Sequence, residues 1–389
     1  MAMKKRRSVR PMDPSQRIPA SPADLIDGPF ATINEMRAVV MAGFGGFEML
    51  VVREDLPVPM PRTGEVLVRV GAAAVNNTDI NTRTGWYAKD VVAPTTSTGA
   101  LVGTSSHDDI GWGGNVPQFP RIQGADACGE IAAVGPGVDR DRLGERVLIE
   151  PVFRSADGPP ESAVYFGSEV DGAFAEYTVV PSRHAHNIDC DLSDAALASF
   201  PCSYSAAENM IGRMRVGADD VVLVTGASGG VGSAAVQLCV RRGATVIAIA
   251  HSDKRSALAD LGATEVLDRD ADLLVSIGRK AIDAVIDVVG GDSWPSLLEV
   301  LKPGGRYAVA GAIAGPLVNL DLRTLYLNDL QLHGCTVLDH AVFPNLIGYI
   351  KRGEIRPLVA ATFPLEQIVA AQKLFLTKQH VGTIVLLCR

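Results

Sequence analysis

The chain has 389 residues, a length more typical of two domains than of a single core. Apolar residues make up 47% and charged residues 21%, which is the balance of a globular protein. The formal net charge of −8 argues against a general nucleic-acid-binding protein, because contacts with phosphate need clustered Lys and Arg.

The amino-terminal 35 residues differ from the rest of the chain. They show little periodic apolar pattern, and basic residues cluster near their start at Lys4, Lys5, Arg6, Arg7 and Arg10. We expect residues 1–35 to be a disordered extension or the product of a start upstream of Met36, with a nucleic-acid-binding tail as the alternative. No apolar run follows the basic residues as a secretory signal requires, and no run is long enough to span a bilayer.

The number and spacing of the cysteines indicate whether the protein is in a reducing or an oxidising cellular compartment. The chain has six cysteines, and none of them forms a CxxC pair, which excludes the spacings of zinc fingers and ferredoxins. Their scatter is typical of reduced, mostly buried thiols, so we expect a cytoplasmic protein.

From Met36 to about Arg183 the chain has a β-rich pattern. Short apolar or alternating runs, separated by Gly and Pro, predict strands at residues 37–41, 66–70 and 146–149. Residues 90–118 are rich in Ser, Thr, Gly and Asn, with Trp86 and Trp112 around them. We predict a long surface loop there, and loops of this length are often functional.

From about residue 189 the pattern changes to strands that alternate with helices. The predicted strands are 221–225, 245–250, 265–267, 281–289 and 306–310, and the predicted helices follow residue 229 and cover 254–261 and 294–301. This alternation predicts an α/β fold with a parallel, doubly wound sheet. The chain ends with predicted helices at 343–351 and 365–376 and a strand at 383–387.

A glycine-rich turn joins the first of these strands to its helix. Residues 226–232 read GASGGVG and match the GxGxxG frame, with Ala in the first place. Small residues allow a tight turn, approach of the backbone to a pyrophosphate and close packing of helix on strand, and the helix amino terminus offers unpaired N–H groups. The alternative is a turn without a ligand. We predict that a dinucleotide contacts Ala227, Ser228, Gly229, Gly230, Val231 and Gly232.

The end of the second strand bears on the choice of cofactor. An NAD site usually has Asp or Glu there, which accepts from the ribose 2′-hydroxyl, whereas this chain has Ala250. Ser252 can donate to a 2′-phosphate, and Lys254 and Arg255 can neutralise it. The alternative is that both basic residues are solvated, but cations at a helix start oppose its dipole. We predict NADP(H), with Asp253 as the acid that could be mistaken for an NAD determinant.

Several separated motifs occur in the order found in the medium-chain dehydrogenase/reductase superfamily. The chain resembles that superfamily from Met36 to its carboxyl end, and it is most similar to the zinc-free quinone oxidoreductase branch that includes zeta-crystallin. The segments that carry the resemblance are VNNTD (75–79), RTGWY (83–87), GADACGE (124–130), VGPGV (134–138), GAFAEY (172–177), VTGASGGVG (224–232) and LKPGGR (301–306).

The resemblance implies a domain organisation. It implies a GroES-like catalytic domain over residues 36–188, a Rossmann NADP-binding domain over 189–340 and a return to the catalytic domain over 341–389. The active site would lie in the cleft between them, at the carboxyl ends of strands. Val289 and Gly311 join the candidate cofactor contacts. Members of the family generally pair through the Rossmann sheet edge, so we expect a homodimer with the segment 307–318 at that edge.

The resemblance also bears on metal binding. Alcohol dehydrogenases of the superfamily hold catalytic zinc through three side chains, and the corresponding positions here are Asn76, Ala125 and Cys202. Only Cys202 can ligate, and one thiol does not make a tetrahedral site. The structural-zinc loop, which needs four cysteines, falls in the cysteine-free region 90–118. We predict no metal and interpret Cys202 as a buried, small apolar residue.

Three residues are candidates for catalysis by resemblance. Asn76 lies near the nicotinamide, Thr78 matches the hydroxyl of the alcohol dehydrogenase proton relay, and Tyr87 matches a pocket tyrosine of the quinone branch. Such groups could donate to a developing enolate oxygen. The alternatives are strand-end capping for Asn76 and packing of the loop for Tyr87. The chain departs from the branch at Asn81, where Tyr is usual, and at Thr383, where Lys is usual.

These features predict an NADPH-dependent oxidoreductase that transfers a hydride to a quinone, an enone or a similar activated double bond without metal. Three alternatives remain open: an enoyl-thioester reductase, a relative of the zinc alcohol dehydrogenases, and a dinucleotide-binding protein without turnover. The predicted partner is a small carbonyl, enone or quinone compound, and neither nucleic acid nor a membrane.

Overall fold

The structure of the protein, a computed structural model, describes residues 34–95, 112, 116–154, 159 and 162–389. The predicted extension 1–35, apart from its last two residues, and most of the predicted loop 90–118 lie outside the described residues. No helix in the described ranges has the length and apolar character needed to cross a bilayer.

Short strands dominate the chain up to residue 190. A helix, α1 (Asn77–Thr84), follows the longest of them directly. The strands are β1 (Glu35–Met41), β2 (Leu50–Pro57), β3 (Glu65–Val75), β4 (Arg121–Ile122), β5 (Cys128–Val134), β6 (Arg146–Ile149), β7 (Val152–Phe153), β8 (Val164–Tyr165), β9 (Tyr177–Pro181) and β10 (Ala185–Asn187).

Helices and strands alternate in the remainder of the chain. The helices are α2 (Asp194–Ala198), α3 (Pro201–Met214), α4 (Gly230–Arg241), α5 (Arg255–Ala259), α6 (Leu273–Ser276), α7 (Trp294–Glu299), α8 (Leu322–Leu327), α9 (Val342–Lys351) and α10 (Ile368–Thr377). The strands are β11 (Val221–Val224), β12 (Thr245–Ala250), β13 (Glu265–Asp268), β14 (Ile282–Asp287), β15 (Leu301–Val309), β16 (Gln331–Gly334), β17 (Val359–Pro364) and β18 (Thr383–Leu387).

Two large sheets organise the molecule. A six-stranded parallel sheet has the order β13-β12-β11-β14-β15-β16, which is the doubly wound order of dinucleotide-binding folds. A seven-stranded sheet has the order β10-β6-β5-β3-β18-β17, with β9 also paired to β3. This combination confirms the predicted α/β fold class, with a GroES-like β-rich part and a Rossmann sheet.

The strand β3 lies at the centre of the seven-stranded sheet. One of its edges pairs with β5, while the other pairs with β9 along the first half and with β18 along the second half. Almost every residue of β3 is therefore buried, in agreement with its run of Val and Ala. The helix α1 follows the buried end of β3 directly, and Asn76, Asn77, Thr78 and Asn81 line a cleft that is also lined by Gly230 and Gly311 from the part of the chain that contains the six-stranded sheet.

Most predicted elements are present, and the differences have local causes. Strands β6, β12 and β18 have the predicted bounds. The helix predicted at 254–261 is shorter, because a 3₁₀ turn (Ser252–Lys254) precedes α5. The segment 307–318, expected at the sheet edge, is a strand only in its first three residues. The strand β15 ends at Val309, and Gly315 (φ 135°) and Pro316 follow in irregular chain. The edge strand of this sheet is β16.

Candidate active site

The glycine-rich turn lies between β11 and α4 and is closely packed. Gly226 has a φ of 56°, and a Cβ on Gly232 would lie 2.3 Å from the carbonyl oxygen of Gly226. A Cβ on Gly230 would lie 2.4 Å from the Ser203 Oγ, whereas Gly229 has no atom closer than 3.5 Å to such a position. Gly229 is the N-cap of α4 and has no side-chain cap, so the N–H groups of the first turn can bind a phosphate. The turn therefore fits a dinucleotide diphosphate.

A buried carboxylate holds the neighbouring loop in place. Asp287, at the end of β14, accepts hydrogen bonds from the Thr225 hydroxyl (2.5 Å), the Tyr307 hydroxyl (2.6 Å) and the Val289 N–H (2.8 Å). The loop after Asp287 contacts the turn, since a Cβ on Gly226 would lie 3.0 Å from a methyl group of the adjacent Val288. Val289, one of the predicted cofactor contacts, is thus held in place by the hydrogen bond from its N–H to Asp287. The other predicted contact, Gly311, lines the cleft.

Two lysines lie beside the turn. The Lys254 Nζ donates to the Ser228 Oγ (3.3 Å) and to the Lys378 carbonyl oxygen (2.6 Å). The Lys378 Nζ donates to the Asn77 Oδ1 (2.9 Å) and lies 3.6 Å from the centre of the Phe375 ring. Neither ammonium group forms an ion pair with a carboxylate among the residues described. Burial, and then repulsion by Lys254, lower the pKa of Lys378 to about 7. Two neighbouring ammonium groups of this kind can attract an anion, and of the two lysines the sequence indicated only Lys254.

The other residues predicted to select the cofactor lie further out. Ser252 and Arg255 are exposed, and the Ser252 N–H donates to the Asp268 Oδ2 (3.1 Å). Asp268 ends β13 beside Ala250, the residue that ends β12, so the six-stranded sheet carries an acid one strand away from the usual NAD position. Hydrogen bonds from backbone N–H groups lower the pKa of Asp268. Sequence analysis missed this carboxylate, which opposes binding of a phosphate at Ser252.

The opposite wall of the cleft begins with Asn76, the N-cap of α1. Its backbone N–H donates to the Asp79 Oδ2 (2.7 Å), so the capping role considered for Asn76 is present. Its side-chain Nδ2 donates to the Asp126 Oδ2 (2.6 Å), and the other Asp126 oxygen accepts from the Cys202 N–H (2.5 Å). Burial raises the pKa of Asp126 to about 7 and that of Asp79 to about 8. The Asn76 amide therefore donates to Asp126 instead of pointing its N–H groups into the cleft.

Asp126 thus joins two of the three positions at which zinc-dependent relatives would hold their metal. The third position, Ala125, has no ligating atom. Burial, followed by repulsion from Asp126, raises the pKa of the Cys202 thiol well above its usual range, which disfavours the thiolate needed to bind zinc. The described residues contain no group of three or more His, Cys, Asp or Glu side chains arranged to hold a metal ion.

Hydroxyl and aromatic groups form the rest of this wall. The Tyr87 hydroxyl donates to the Thr78 Oγ1 (3.3 Å), and burial raises the pKa of Tyr87 to about 12. Trp86 packs edge-on against the Tyr87 ring and donates from its indole to the Ala93 carbonyl oxygen (2.8 Å). Both rings, together with Trp112, line the cleft. Flat, apolar walls of this kind suit a conjugated substrate.

The cleft therefore brings many of the predicted residues together. Asn76, Thr78 and Tyr87 line it with Gly230, Val231 and Gly311. Ala227 is fully buried within the turn, and Ser252 and Arg255 are outside the cleft. Sequence analysis missed the contributions of Lys378, Asn77, Asp126 and Asp268. Of these, Asn77 and Asp126 lie in motifs that the sequence singled out, whereas Lys378 and Asp268 do not.

Comparisons with known proteins agree with this arrangement. Residues 62–190 match the family described as alcohol dehydrogenase GroES-like domain, and residues 230–352 match the zinc-binding dehydrogenase family. A putative alcohol dehydrogenase of Sinorhizobium meliloti 1021 has 43% sequence identity and a TM-score of 0.82, over 92% of this chain and 98% of that chain.

Two curated relatives are similar at lower identity. A quinone oxidoreductase of Lama guanicoe is 26% identical over 91% of this chain and 98% of its own length. An acryloyl-coenzyme A reductase of Metallosphaera sedula is 27% identical over 90% of this chain and 99% of its own length. These two relatives are a quinone oxidoreductase and an acyl-thioester reductase, so they are named for different substrates.

Proposed function

Because the chain belongs to the medium-chain dehydrogenase/reductase superfamily, in its quinone oxidoreductase-like branch, we propose that this oxidoreductase uses NADPH to reduce a quinone, an enone or a similar activated double bond. The observation that carries the proposal is the Tyr87–Thr78 hydroxyl pair, which lines the same cleft as Gly230 and Gly311. A hydroxyl donor beside a dinucleotide site suits a reaction in which a carbonyl oxygen gains negative charge.

A reduced nicotinamide, when bound, supplies the hydride. The first turn of α4 would bind the diphosphate, and Lys254 and Lys378 would bind the 2′-phosphate that distinguishes NADPH from NADH. The negative charge of Asp268 opposes binding of the 2′-phosphate. Its carboxylate is open to water, which weakens its repulsion of a phosphate, whereas the two ammonium groups lie partly out of water, where charges interact more strongly. This difference favours NADPH.

Tyr87 would act on the substrate oxygen. Since its pKa is raised to about 12, the hydroxyl keeps its proton at neutral pH and can donate a hydrogen bond to a developing enolate. In the free protein the Tyr87 hydroxyl donates to the Thr78 Oγ1, and on binding of the substrate it would donate to the substrate oxygen instead. Asn76 would have a positioning role, because its amide is held by Asp126 at the start of α1.

A panel of substrates tests this proposal. We expect the protein to oxidise NADPH with benzoquinone or cyclohexenone and to use NADH at least about tenfold less efficiently, the difference that about 1.4 kcal/mol produces. Tight NADPH binding without turnover on the whole panel would instead indicate a non-catalytic protein. Metal analysis that finds one zinc ion per chain, with oxidation of simple alcohols, would contradict the proposal.

An enoyl-thioester reductase is the second candidate. It is favoured by the similarity to the acryloyl-coenzyme A reductase over nearly the whole of both chains. The same panel separates the two functions if it includes crotonyl-coenzyme A. Activity with that thioester alone supports the second candidate, and activity with quinone or enone alone supports the first.

We also propose a homodimer that forms through the edge of the six-stranded sheet. Leu322 and Leu327 of α8, the helix that precedes β16 in the chain, are 64% and 68% exposed, and Leu332 of the edge strand β16 is 40% exposed. Pairing would cover these side chains and the open hydrogen-bonding edge of β16. A solution mass of 41.0 kDa, that of one chain, would contradict a dimer. The six free cysteines agree with the proposed cytoplasmic location.

A further inference from the structure

Asp126 is a buried carboxylate without a cationic partner. Its exposed fraction is 0%, and none of the ion pairs within the described ranges includes it. Burial of a carboxylate without a cation costs free energy, because the group loses its hydration. Hydrogen bonds to its two oxygens offset this cost, so the two donors are the feature to explain.

The two oxygens accept from two different helices that line the cleft. Oδ2 accepts from the Asn76 Nδ2 (2.6 Å) at the start of α1, and Oδ1 accepts from the Cys202 N–H (2.5 Å) in the first turn of α3. The N-cap residue of α3, Phe200, provides no side-chain cap, so Asp126 satisfies an N–H group that the helix leaves open. One carboxylate thus connects α1 with α3.

The connection to α1 reaches the proposed hydroxyl donors. Asn76 is the N-cap of α1, and Thr78 follows in the first turn and accepts from the Tyr87 hydroxyl. The position of Thr78, and with it the direction of the Tyr87 hydroxyl, therefore depends on how firmly the start of α1 is held.

The connection to α3 reaches the glycine-rich turn. Ser203 follows Cys202 in the first turn of α3 and packs so closely on the turn that a Cβ on Gly230 would meet its Oγ. Cys202, Ser203 and Gly230 all line the cleft. The start of α3 therefore cannot move toward the turn without displacing the backbone that would bind the diphosphate.

A carboxylate is suited to this double contact. Its two oxygens only accept, whereas the amide of Asn or Gln has a single acceptor oxygen and would present its NH2 group to one of the two donors. The segment that carries Asp126 is itself held against α1, since the Gln123 Nε2 donates to the Asp79 carbonyl oxygen (2.9 Å).

We propose, on the basis of the proposed reductase function, that Asp126 is a positioning residue. By holding Asn76 with one oxygen and the Cys202 N–H with the other, it sets the distance between the hydroxyl donors of α1 and the wall that binds the dinucleotide. The substrate carbonyl and the reduced nicotinamide then meet in an alignment that is fixed before either of them binds.

Asp126→Asn tests the proposal with almost no change of shape. The amide can accept from Asn76 or from Cys202 but not from both. We expect the rate of NADPH oxidation by cyclohexenone in a single turnover, expressed per NADPH-binding site, to fall by at least about tenfold, because small misplacements of reacting groups are costly. The affinity for NADPH should stay nearly unchanged. An equal loss of NADPH affinity would mean that Asp126 supports the dinucleotide site instead, and would overturn the proposal.

Glu208→Gln is the matched control. Glu208 is also a buried carboxylate, 3% exposed, and it does not line the cleft. Since it accepts from the Arg242 guanidinium (2.6 Å), the variant should be less stable in thermal unfolding but keep the wild-type rate per site. If Asp126→Asn loses stability and keeps its rate in the same way, Asp126 only stabilises the fold and the inference is wrong.

Asn76→Ala removes the same contact from its other end, and it decides the question if Asp126→Asn does not fold. Its rate should also fall by at least about tenfold, and an unchanged rate would overturn the proposal. The double variant should be no slower than the slower single variant, because both substitutions break one contact. Losses that multiply in the double variant would show that the two residues act independently and would contradict the inference.

Hydrogen exchange of the cofactor-free protein tests the contact without any substrate. In Asp126→Asn, backbone amides at residues 76–79 or 202–205 should exchange faster than in the wild type, whereas those of β12 should not change. Unchanged exchange in both segments would overturn the proposal. A wild-type protein that oxidises NADPH with no compound of the panel contradicts the reductase function, while the exchange result still decides whether Asp126 holds the two helices.

Discussion

Lys378 provides the sharpest test of the cofactor site. Its ammonium group lies beside Lys254 and the glycine-rich turn and has no carboxylate partner within the described ranges. The substitution Lys378→Met removes the charge and keeps a side chain of similar length. Lys378 has a φ of 53°, and Met tolerates this left-handed conformation no better and no worse than Lys, so the backbone contributes little to the comparison.

The expected size of the effect follows from the contact. A hydrogen bond between an ammonium group and a phosphate contributes about 1.5–3 kcal/mol, and about 1.4 kcal/mol corresponds to a tenfold change in affinity. We therefore expect Lys378→Met to weaken NADPH binding by roughly 10- to 100-fold. NADH, which has no 2′-phosphate, should bind with nearly unchanged affinity.

Fluorescence titration with each dinucleotide measures both affinities on the same sample. Lys373→Met is the matched control, since Lys373 is an exposed lysine of α10, the helix that Lys378 caps, and lies over the Phe47 ring. It should change neither affinity. Equal losses for NADPH and NADH in Lys378→Met would mean that the lysine supports the whole site, and unchanged NADPH affinity would refute its role as a phosphate ligand.

Three further predictions concern the same cleft. NADPH affinity should fall as the pH rises above about 7, because Lys378 has a pKa of about 7 in the free protein and a bound phosphate favours its charged form. Binding titrations at several pH values measure this fall, and NADH should show no comparable fall. Gly232→Ala should lower the free energy of unfolding by about 1–3 kcal/mol and weaken the binding of both NADPH and NADH, since the new Cβ meets the Gly226 backbone. Chemical denaturation and binding titrations measure the two effects, and a variant as stable as the wild type would contradict the prediction. Tyr87→Phe should lower kcat by about 100-fold or more without changing the affinity for NADPH, and steady-state kinetics with unaltered kcat would exclude Tyr87 as the donor.

The fold was predictable where the sequence repeats a simple pattern. The apolar runs of β12 and β18 are typical of buried strands, and the small residues of the glycine-rich turn are typical of a tight, closely packed turn. The predicted bounds of both strands agree with the structure. The helix α1 was not predicted, because its residues (NTDINTRT) favour a helix weakly and are buried on several sides, so no amphipathic pattern marks it. Its ends are set by the cap at Asn76 and by Gly85.

The site was less predictable because tertiary contacts assemble it. Lys254 and Lys378 are 124 residues apart in the chain, and only the folding of α10 next to the turn brings them together. The contact between Asp268 and Ser252 depends on the parallel pairing of β12 with β13. The sequence motif contained Asp126, but the residues that it binds, Asn76 and Cys202, lie on separate elements.

The position of β18 affects the order in which the protein can be made. This strand covers residues 383–387, yet it lies between β3 and β17 in a sheet whose other strands are, apart from β17, all translated before residue 190. While the ribosome is still adding the six-stranded sheet, half of one edge of β3 has no neighbour. The amino-terminal part is therefore incomplete, with an open strand edge that can pair with other chains, until β18 has been synthesised. Removing residues 383–389 should accordingly leave a chain that aggregates as it is synthesised.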